Sequence, residues 1–487
     1  MQLTVTRKTA RADPDSARVI ARFFLLEPNR TRSIIQQVLD LPDEAVAHQF
    51  SQVLREFSGR HRNITRIFEK HCGRARGSFA ELGVDYASVD IRRRLLIGSY
   101  FTLEYSVESS AFFNPSMVKD IDQTALEEGQ CRVILSFRAV GEGHISSIVF
   151  RRAIIDAQHN IHLHKTTHYI DEPEIYRDTL YDKSTFFHKA SSIHLPREIH
   201  QQITEALPEE FEYEALKKQI RTLQEQHNDD LTLKDSLERV LWLANSHYEM
   251  HFSLDTDISD RVIFPYSEAE KKGIEDARFV RFTDDDGEVA YYATYTAYDG
   301  VAIQPELMET RDFYHFKTMP LYGYGAQNKN LALFPRKING KYAMLSRIDG
   351  INNYIMYSDN INVWEQPIRI QEPVSPWEFV QVGNCGSPIE TEHGWLLITH
   401  GVGPMRRYCL GAALLRLDDP SVEIGRLKEP LLTPSEAERE GYVPNVVYSC
   451  GSMLHNGELI IPYGMSDYAS TFATIPLERL IRAILQG

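Results

Sequence analysis

Apolar residues recur at helical spacing near the N-terminus and again in one internal stretch. Over residues 12–78, segments such as "DPDSARVIARFFLL", which opens on Asp and Pro, predict a series of helices. Residues 207–250 return to this pattern with a break near "HNDD", and therefore predict a helical hairpin. The closing "TIPLERLIRAIL" predicts an amphipathic C-terminal helix.

From about residue 100 the pattern changes to short apolar runs that predict strands. "CRVILSFRAV" and "HISSIVFRRAIID", separated by "GEG", predict two adjacent strands. After residue 275 nearly every segment is a short strand bounded by turn residues, in a loose repeat of roughly 50–60 residues. Repeated four-stranded units of this length predict the blades of a propeller, with a β-sandwich as the alternative.

Composition narrows the function classes. The 487 residues carry a formal net charge of −15, which argues against nucleic acid as the main partner. The five cysteines form no CxxC pair and the histidines no HExxH motif, so we expect neither a disulfide framework nor a metal site. The first residues lack the apolar core of a signal peptide, and no run of 18 apolar residues occurs. We therefore expect a soluble, cytoplasmic protein without a membrane span.

Polar residues at strand ends are the candidates for chemistry, because a propeller binds its ligand where the inner strands and loops converge. Each residue alone has an ordinary explanation as a turn cap or as a salt bridge between blades. The candidates are Asn114, Ser116, Arg138, His144, Glu275, Asp276, Arg278, Asn328, Lys329, Asn330, Arg347, His400, Arg406, Tyr408 and Asp467.

Four motifs occur in the order typical of one enzyme family. They are "EDAR" at Glu275–Arg278, "LFPRKINGKY" at Leu333–Tyr342, "GWLLITHGV" at Gly394–Val402 and Y-G-x-x-D at Tyr463–Asp467. The chain thus resembles glycoside hydrolase family 130, the inverting β-mannoside phosphorylases and β-mannosidases built on a five-bladed β-propeller. The resemblance covers roughly residues 100–475 without the helical insertion. Ala277 and Arg336 depart from the Pro and Glu usual in the family.

The resemblance implies a domain plan and a site. The plan is an N-terminal helical region at 1–95, a propeller at 96–475 with the insertion at 207–250, and a helix at 476–487. Asp276 is implied as the general acid. Phosphate binding is implied for Lys329, Asn330, Arg347 and His400. Sugar binding is implied for Asn114, Ser116, Arg138, Glu275, Arg278, Tyr408 and Asp467. No cofactor is expected, and inorganic phosphate is the co-substrate.

One acid suffices for a phosphorylase, because phosphate is already an anionic nucleophile, whereas an inverting hydrolase needs a second carboxyl group to activate water. We expect burial in an aromatic channel to raise the pKa of Asp276. The tyrosines at 291, 292, 295 and 298 are candidates for that aromatic wall. In the family, the proton is thought to pass through the 3-hydroxyl of the mannose.

Three functions remain open from the sequence. The first is phosphorolysis of β-linked manno-oligosaccharides, favouring β-1,2 linkages, with release of α-mannose 1-phosphate. The second is hydrolysis by an inverting β-mannosidase, and the third is a carbohydrate-binding propeller without catalysis. Both helical regions have apolar faces to bury, so we also expect a homo-oligomer.

Overall fold

The computed structural model describes residues 3–167, 169–176, 180–190, 195–227, 230–245 and 247–486, and the protein is mainly β. Among the described residues, no helix combines the length and the apolar character that crossing a membrane requires. All five cysteines are buried and unpaired.

The N-terminal region combines three strands with five helices. Their bounds are β1 Thr6–Ala12, β2 Val19–Phe23, α1 Pro28–Leu39, α2 Asp43–Phe57, α3 Ile64–Arg74, α4 Arg76–Glu81, α5 Ile91–Tyr100 and β3 Thr102–Ser106. The helix predicted for "DPDSARVIARFFLL" is wrong, because this segment contains β2, which pairs antiparallel with β3 from Val19↔Ser106 to Phe23↔Thr102. The first helix begins only at Pro28, whose fixed φ suits the first helical turn.

The N-terminal helices enclose an apolar core of their own. Ile35, Phe68, Cys72 and Leu96 are buried in one cluster. Helices α3 and α5 cross so closely that a Cβ at Gly98 would lie 1.9 Å from the carbonyl oxygen of Phe68. Glycine is therefore required at this crossing.

The first part of the β region forms one continuous sheet of eleven strands. These strands are β4 Ala111–Lys119, β5 Cys131–Val140, β6 Ser146–Ile155, β7 Ile161–Leu163, β8 Glu174–Tyr176, β11 Tyr248–His251, β12 Val262–Ile263, β13 Gly273–Thr283, β14 Val289–Tyr298, β15 Ile303–Thr310 and β16 His315–Pro320. The strand order is β4-β5-β6-β13-β14-β15-β16-β11-β8. The predicted strand pair corresponds to β5 and β6, which are antiparallel from Cys131↔Ile155 to Val140↔Ser146.

The helical insertion interrupts this sheet between β8 and β11. Its elements are β9 Tyr181–Asp182, α6 Lys183–Lys189, α7 Arg197–Ala206, β10 Glu210–Phe211, α8 Tyr213–Gln226 and α9 Leu231–Asn245. The predicted hairpin corresponds to α8 and α9, and residues 228–229 of its predicted break lie outside the described residues. Leu216, Ile220 and Leu237 form the buried face of the insertion, together with Tyr322 from the loop after β16.

Three further antiparallel sheets complete the chain. Their strands are β17 Ala332–Leu333, β18 Tyr342–Ser346, β19 Asn353–Ser358 and β20 Ile368–Gln371; β21 Gln381–Asn384, β22 Ile389–Thr391, β23 Gly394–Val402, β24 Tyr408–Leu415 and β25 Glu423–Arg426; and β26 Val447–Tyr448, β27 Met453–His455, β28 Glu458–Met465 and β29 Ala469–Pro476. In the last sheet, β1 adds to β29 as the outer strand. Helix α10, Leu477–Gln486, buries Leu480, Ile481 and Ile484 against the core of the last two sheets.

The last sheet also contacts the first. The backbone N–H of Cys450 donates to the carbonyl of Pro115 at 2.8 Å, and that of Phe112 donates to the carbonyl of Tyr468 at 2.8 Å. The two ends of the β region therefore lie side by side, and strands distant in sequence share one polar pocket.

Candidate active site

A polar pocket of about 200 Å³ lies where these sheets converge. It is lined by Asn114, Arg138, Glu275, Asp276, Lys329, Asn330, Arg347, Gln381, His400, Arg406, Tyr408, Val443, Val446, Tyr448 and Asp467. The residues that the resemblance implies for the site all lie in this wall, except Ser116 and Arg278. Of the other candidates at strand ends, Arg406 lines the pocket, whereas His144 and Asn328 do not. A pocket with several cations and carboxylates suits a polar substrate with an anionic group.

Two β-bulges present the central side chains. In β13 the register shifts between Glu275 and Arg278, and in β4 it shifts between Phe113 and Ser116. Asp276 and Asn114 sit in these bulges with φ of 56° and 50°. Because a bulge turns a side chain out of the regular alternation, both reach the pocket, where the Asn114 amide donates to Asp276 Oδ1 at 2.7 Å.

Cations from neighbouring sheets surround the two adjacent carboxylates. Glu275 accepts from Arg138 at 2.8 Å and from Lys329 at 2.5 Å, and Arg138 lies 3.6 Å from Asp276. Burial acts to raise the pKa of Asp276, but Arg138, Lys329 and Arg278, with the amide of Asn114, hold it below its ordinary value. The expected upward shift of the Asp276 pKa is therefore wrong for this arrangement of side chains, and Asp276 is ionised.

Asp467 provides the opposite case on the same wall. Burial raises the pKa of Asp467 to about 6, although the nearby Arg138 acts against this rise. The pocket thus holds one carboxyl group that is ionised throughout the neutral range and another that gains a proton near pH 6.

Arg347 and His400 form a buried cationic corner. Arg347 donates through Nη1 to His400 Nε2 at 3.3 Å, and His400 Nδ1–H donates to the carbonyl of Asn384 at 3.2 Å. Burial, followed by the charges of Arg347 and Arg278, lowers the pKa of His400 well below its ordinary value. The imidazole of His400 is therefore neutral. Its Nε2 accepts the hydrogen bond from Arg347 and so orients the guanidinium.

Asn330 and Arg278 brace the pocket wall. The Asn330 amide donates to the carbonyl of Asn384 at 3.1 Å and to the Tyr448 hydroxyl at 3.0 Å. Arg278 is buried behind the wall and donates to Asn384 Oδ1 at 3.0 Å and to the Tyr448 hydroxyl at 2.7 Å. The side-chain donors of Asn330 are thus already engaged.

Ser116 lies between strands rather than in the pocket wall. Its hydroxyl accepts from the backbone N–H of Phe279 at 3.1 Å and so joins β4 to β13.

The tyrosines proposed as an aromatic wall lie elsewhere, and that prediction is wrong. None of the four lines the pocket. The Tyr291 hydroxyl donates to the carbonyl of Lys119, and the Tyr295 hydroxyl donates to Glu270. The aromatic side chains in the wall are Tyr408 and Tyr448, next to His400.

Sequence reasoning missed Gln381, Val443, Val446 and Tyr448 as wall residues. A weak signal was available, because "NPSM", "CGSP" and "CGSM" recur at 114–117, 385–388 and 450–453, next to the inner strands of three sheets. Because Asn114 opens the first of these segments, the related segment at 450–453 indicates that residues close to it, such as Tyr448, are also candidates for the wall.

A second cavity, of about 420 Å³, holds the unusual Arg336 and none of the predicted site residues. Arg336 pairs there with both oxygens of Glu390, at 2.8 and 2.7 Å. Most of its other lining side chains are apolar. Among the described residues, the cluster able to offer three metal ligands is Glu392, His393 and Glu478, all exposed and outside the polar pocket.

A mainly β fold with a pocket of paired carboxylates and cations is suited to carbohydrate and phosphate chemistry. The family model described as β-1,4-mannooligosaccharide phosphorylase matches residues 236–485. A 1,2-β-oligomannan phosphorylase of Thermoanaerobacter sp. (strain X514) is 39% identical over 207 residues, 41% of this chain and 67% of the relative. A β-1,2-mannobiose phosphorylase of Listeria innocua is 30% identical over 250 residues, 50% of this chain and 68% of the relative.

The crystal structure of a β-1,2-mannobiose phosphorylase from Listeria innocua, in complex with β-1,2-mannobiose, aligns with a TM-score of 0.47 and 21% identity, over 79% of this chain and 94% of the other. On the sequence matches, the chain belongs to glycoside hydrolase family 130 and is an enzyme.

Proposed function

We propose that this enzyme is an inverting phosphorylase that cleaves β-1,2-mannosidic linkages of oligomannan. A phosphate oxygen attacks C1 of the terminal mannose, the bond from C1 to the glycosidic oxygen breaks, and a proton passes to that oxygen. The products are α-mannose 1-phosphate and an oligosaccharide shorter by one unit. The named activities of the relatives from Thermoanaerobacter and Listeria support the choice of β-1,2 linkages.

The observation that carries the proposal is the state of Arg347. Its guanidinium is buried in the pocket wall, its Nε has no hydrogen-bond partner, and no carboxylate forms an ion pair with it among the described residues. A buried cation without a counter-ion is costly, and a bound phosphate would supply both the charge and the acceptors. The alternative role as a salt bridge between sheets fits Arg138 and Lys329, which pair with Glu275, but not Arg347.

We assign the following roles as part of this proposal. Arg347 and Lys329 hold phosphate, while His400 and Asn330 orient that corner. Asp276 is the group through which the proton reaches the leaving oxygen, and the family resemblance routes this proton through the 3-hydroxyl of the mannose. A phosphate anion beside Lys329 would offset the cations that lower the pKa of Asp276, so phosphate binding favours its protonated form. The sugar is contacted by Asn114, Arg138, Glu275, Tyr408 and Asp467. Ser116 and Arg278 lie outside the pocket and hold its wall in place.

Hydrolysis is the second candidate, and Asp467 is the observation that favours it. An inverting hydrolase requires an ionised carboxylate to activate water. Asp467 meets this requirement above about pH 6. The unpaired Arg347 has no function in that reaction, which is why we prefer phosphorolysis.

Substrate incubations separate these functions. The enzyme is incubated with β-1,2- or β-1,4-mannobiose, with and without phosphate, and the products are separated by anion-exchange chromatography. We expect mannose 1-phosphate from the β-1,2 disaccharide only when phosphate is present. Free mannose formed equally fast without phosphate would establish the hydrolase, and no turnover of either disaccharide would reject both functions.

We also propose that the eleven-stranded sheet contributes two blades, and the three later sheets one blade each, to a five-bladed propeller around the pocket. The contacts between the first and last sheets and the addition of β1 to β29 support closure. The proposal keeps the predicted domain limits, with an N-terminal region at 1–95, the propeller at 96–475 and the last helix at 476–487. It also includes a cytoplasmic location, which the five unpaired cysteines support.

A homo-oligomer formed through the N-terminal helices is a further part of the proposal. Leu25, Leu26, Tyr100 and Leu103 are each at least 36% exposed. The N–H of Phe24 donates to the carbonyl of Phe101 at 3.1 Å, so the two segments that carry these apolar side chains lie next to each other. Removing residues 1–78 would also remove β1, so a point change is the better test. Light scattering should give more than one chain per particle, and fewer after Leu26→Glu; a monomeric parent protein would contradict the proposal.

A further inference from the structure

An aromatic pair lies next to the pocket wall, outside the proposed catalytic group. The rings of Tyr442 and His144 are 5.5 Å apart and inclined at 30°. Tyr442 is 65% exposed, although the residue that follows it, Val443, lines the pocket. An exposed aromatic ring held beside a polar pocket is a candidate ligand-binding surface, because a bound ligand would remove its apolar face from water.

The loop that carries Tyr442 is joined to two parts of the pocket wall by backbone hydrogen bonds. The N–H of Val443 donates to the carbonyl of Ser466, next to Asp467, at 3.1 Å. At the other side, the N–H of Tyr408 donates to the carbonyl of Asn445 at 3.0 Å. A Cβ at Gly441 would lie 2.3 Å from the Ser466 carbonyl oxygen, so glycine allows this close approach. Tyr442 is thus held at the rim by backbone contacts.

His144 reaches the same place from the first sheet. It occupies the turn between β5 and β6, six residues after Arg138 of the pocket wall, with φ of 59°. The N–H of Gly141 donates to the carbonyl of Ile145 at 3.2 Å and closes this turn. Two separate parts of the chain therefore build one platform, and little side-chain entropy is lost when a ligand binds to it.

We propose that Tyr442, packed against His144, is a binding subsite for the mannosyl units of an oligosaccharide that extend out of the pocket. The inference rests on the proposed function, and it makes Tyr442 a determinant of chain-length preference. The apolar face of a pyranose ring suits an aromatic face, while the sugar hydroxyls remain in water. In the proposed reaction the pocket of about 200 Å³ binds the reacting mannose and phosphate, and the further units of the oligosaccharide extend past its rim.

A neighbouring cleft of about 480 Å³ is the competing path for the chain. It is lined by Pro404, Met405, Arg407, Pro434, Glu436, Arg439 and Asn445, on the other side of the same loop. Met405 is 90% exposed and precedes Arg406 of the pocket wall, so Met405→Ala tests this path. Tyr442 is the stronger candidate, since its ring is already ordered by His144.

The test compares phosphorolysis of β-1,2-linked manno-di-, tri- and tetraose by the parent enzyme and its variants. For Tyr442→Ala we expect the ratio of kcat/KM for tetraose to that for biose to fall about three- to tenfold. Tyr442→Trp should keep the parent ratio, because it retains an aromatic face. The matched control is Tyr176→Ala, which removes an exposed tyrosine packed on His251 at 4.5 Å on β8.

Binding measurements distinguish failure of this inference from failure of the proposed function. Calorimetry without phosphate should give weaker binding of tetraose by Tyr442→Ala than by Tyr176→Ala, whether or not the enzyme uses phosphate. An unchanged ratio and an unchanged tetraose affinity in Tyr442→Ala would overturn the subsite. So would a loss of chain-length preference in Met405→Ala with none in Tyr442→Ala, because the chain would then follow the cleft.

Discussion

Asp276 acquires its chemical properties from side chains on other strands. Asn114 and Arg138 come from the first sheet, and Lys329 lies between β16 of that sheet and β17 of the next. Together they outweigh the effect of burial on its pKa. The sequence placed all these residues at strand ends, but it could not predict the direction of the pKa shift, because distances between sheets are not encoded in any one segment.

Replacing Asp276 by Asn should preserve the fold and remove most of the activity. The amide has a similar shape but cannot take part in proton transfer, which is typically worth about 10²–10⁴-fold in rate. Initial rates on unactivated mannobiose measure the effect, with Asp286→Asn on an exposed turn as the control. Retention of more than about a tenth of the parent rate would exclude the proposed role.

Arg347→Ala should raise the KM for phosphate much more than the KM for mannobiose. One lost charge-assisted hydrogen bond is worth about 1.5–3 kcal/mol, or about 10–150-fold in affinity. Lys329→Ala should raise both KM values, because Lys329 also pairs with Glu275, which we propose as a sugar-binding residue. Arg336→Ala in the second cavity is the control. Equal changes in both KM values for Arg347→Ala would indicate a structural role instead.

Among the elements, β2 and the bulges were the hardest to predict. The segment of β2 has apolar residues at helical spacing, which favours a helix, and a Val-Ile pair, which favours a strand. It forms a strand because it pairs with β3, about 80 residues later in the chain. The bulges depend on the register between strands, which no single segment encodes. The tyrosines of β14 were misplaced for another reason: Tyr291 and Tyr295 on one face and Tyr292 on the other pack against apolar cores. Helices α8, α9 and α10 were predictable because long amphipathic patterns are local. The shorter helices α6 and α7, which precede the predicted hairpin, were not predicted.

Strand β15 buries a carboxylic acid whose protonation should affect stability. Burial, followed by the charge of Glu270, raises the pKa of Glu306 well above its ordinary value, and neither carboxyl oxygen has a hydrogen-bond partner among the described residues. Between the unfolded and native pKa values the native chain therefore binds one more proton than the unfolded chain. Stability falls as pH rises through this window.

Glu306→Gln removes this titration. The melting temperature of the variant should exceed that of the parent protein by more at pH 8 than at pH 5, as measured by differential scanning calorimetry. A difference between the two proteins that is the same at both pH values would show that Glu306 is not protonated in the folded state.

At the scale of the whole molecule, a buried ion cluster joins the N-terminal segment to the first sheet. Glu108 accepts from Arg18 at 2.8 Å and from Arg151 at 2.7 Å, and Arg18 and Glu108 are fully buried. Glu108→Gln should lower the free energy of unfolding by about 3–5 kcal/mol, because it leaves buried cations without a counter-charge. Urea denaturation provides the measurement.

The control for this prediction is Glu81→Gln, which breaks the more exposed pair with Arg32 and should cost at most about 1 kcal/mol. Similar losses in the two variants would mean that the cluster does not join the N-terminal segment to the sheet as strongly as its burial implies.

The stereochemistry of the first product tests the central claim most directly. Proton NMR can follow the anomeric signals during the first turnovers of β-1,2-mannobiose in phosphate buffer. We predict that α-mannose 1-phosphate appears first, in equal amount to the mannose released from the other unit. Initial formation of two mannose molecules per disaccharide, or of the β-phosphate, would contradict it.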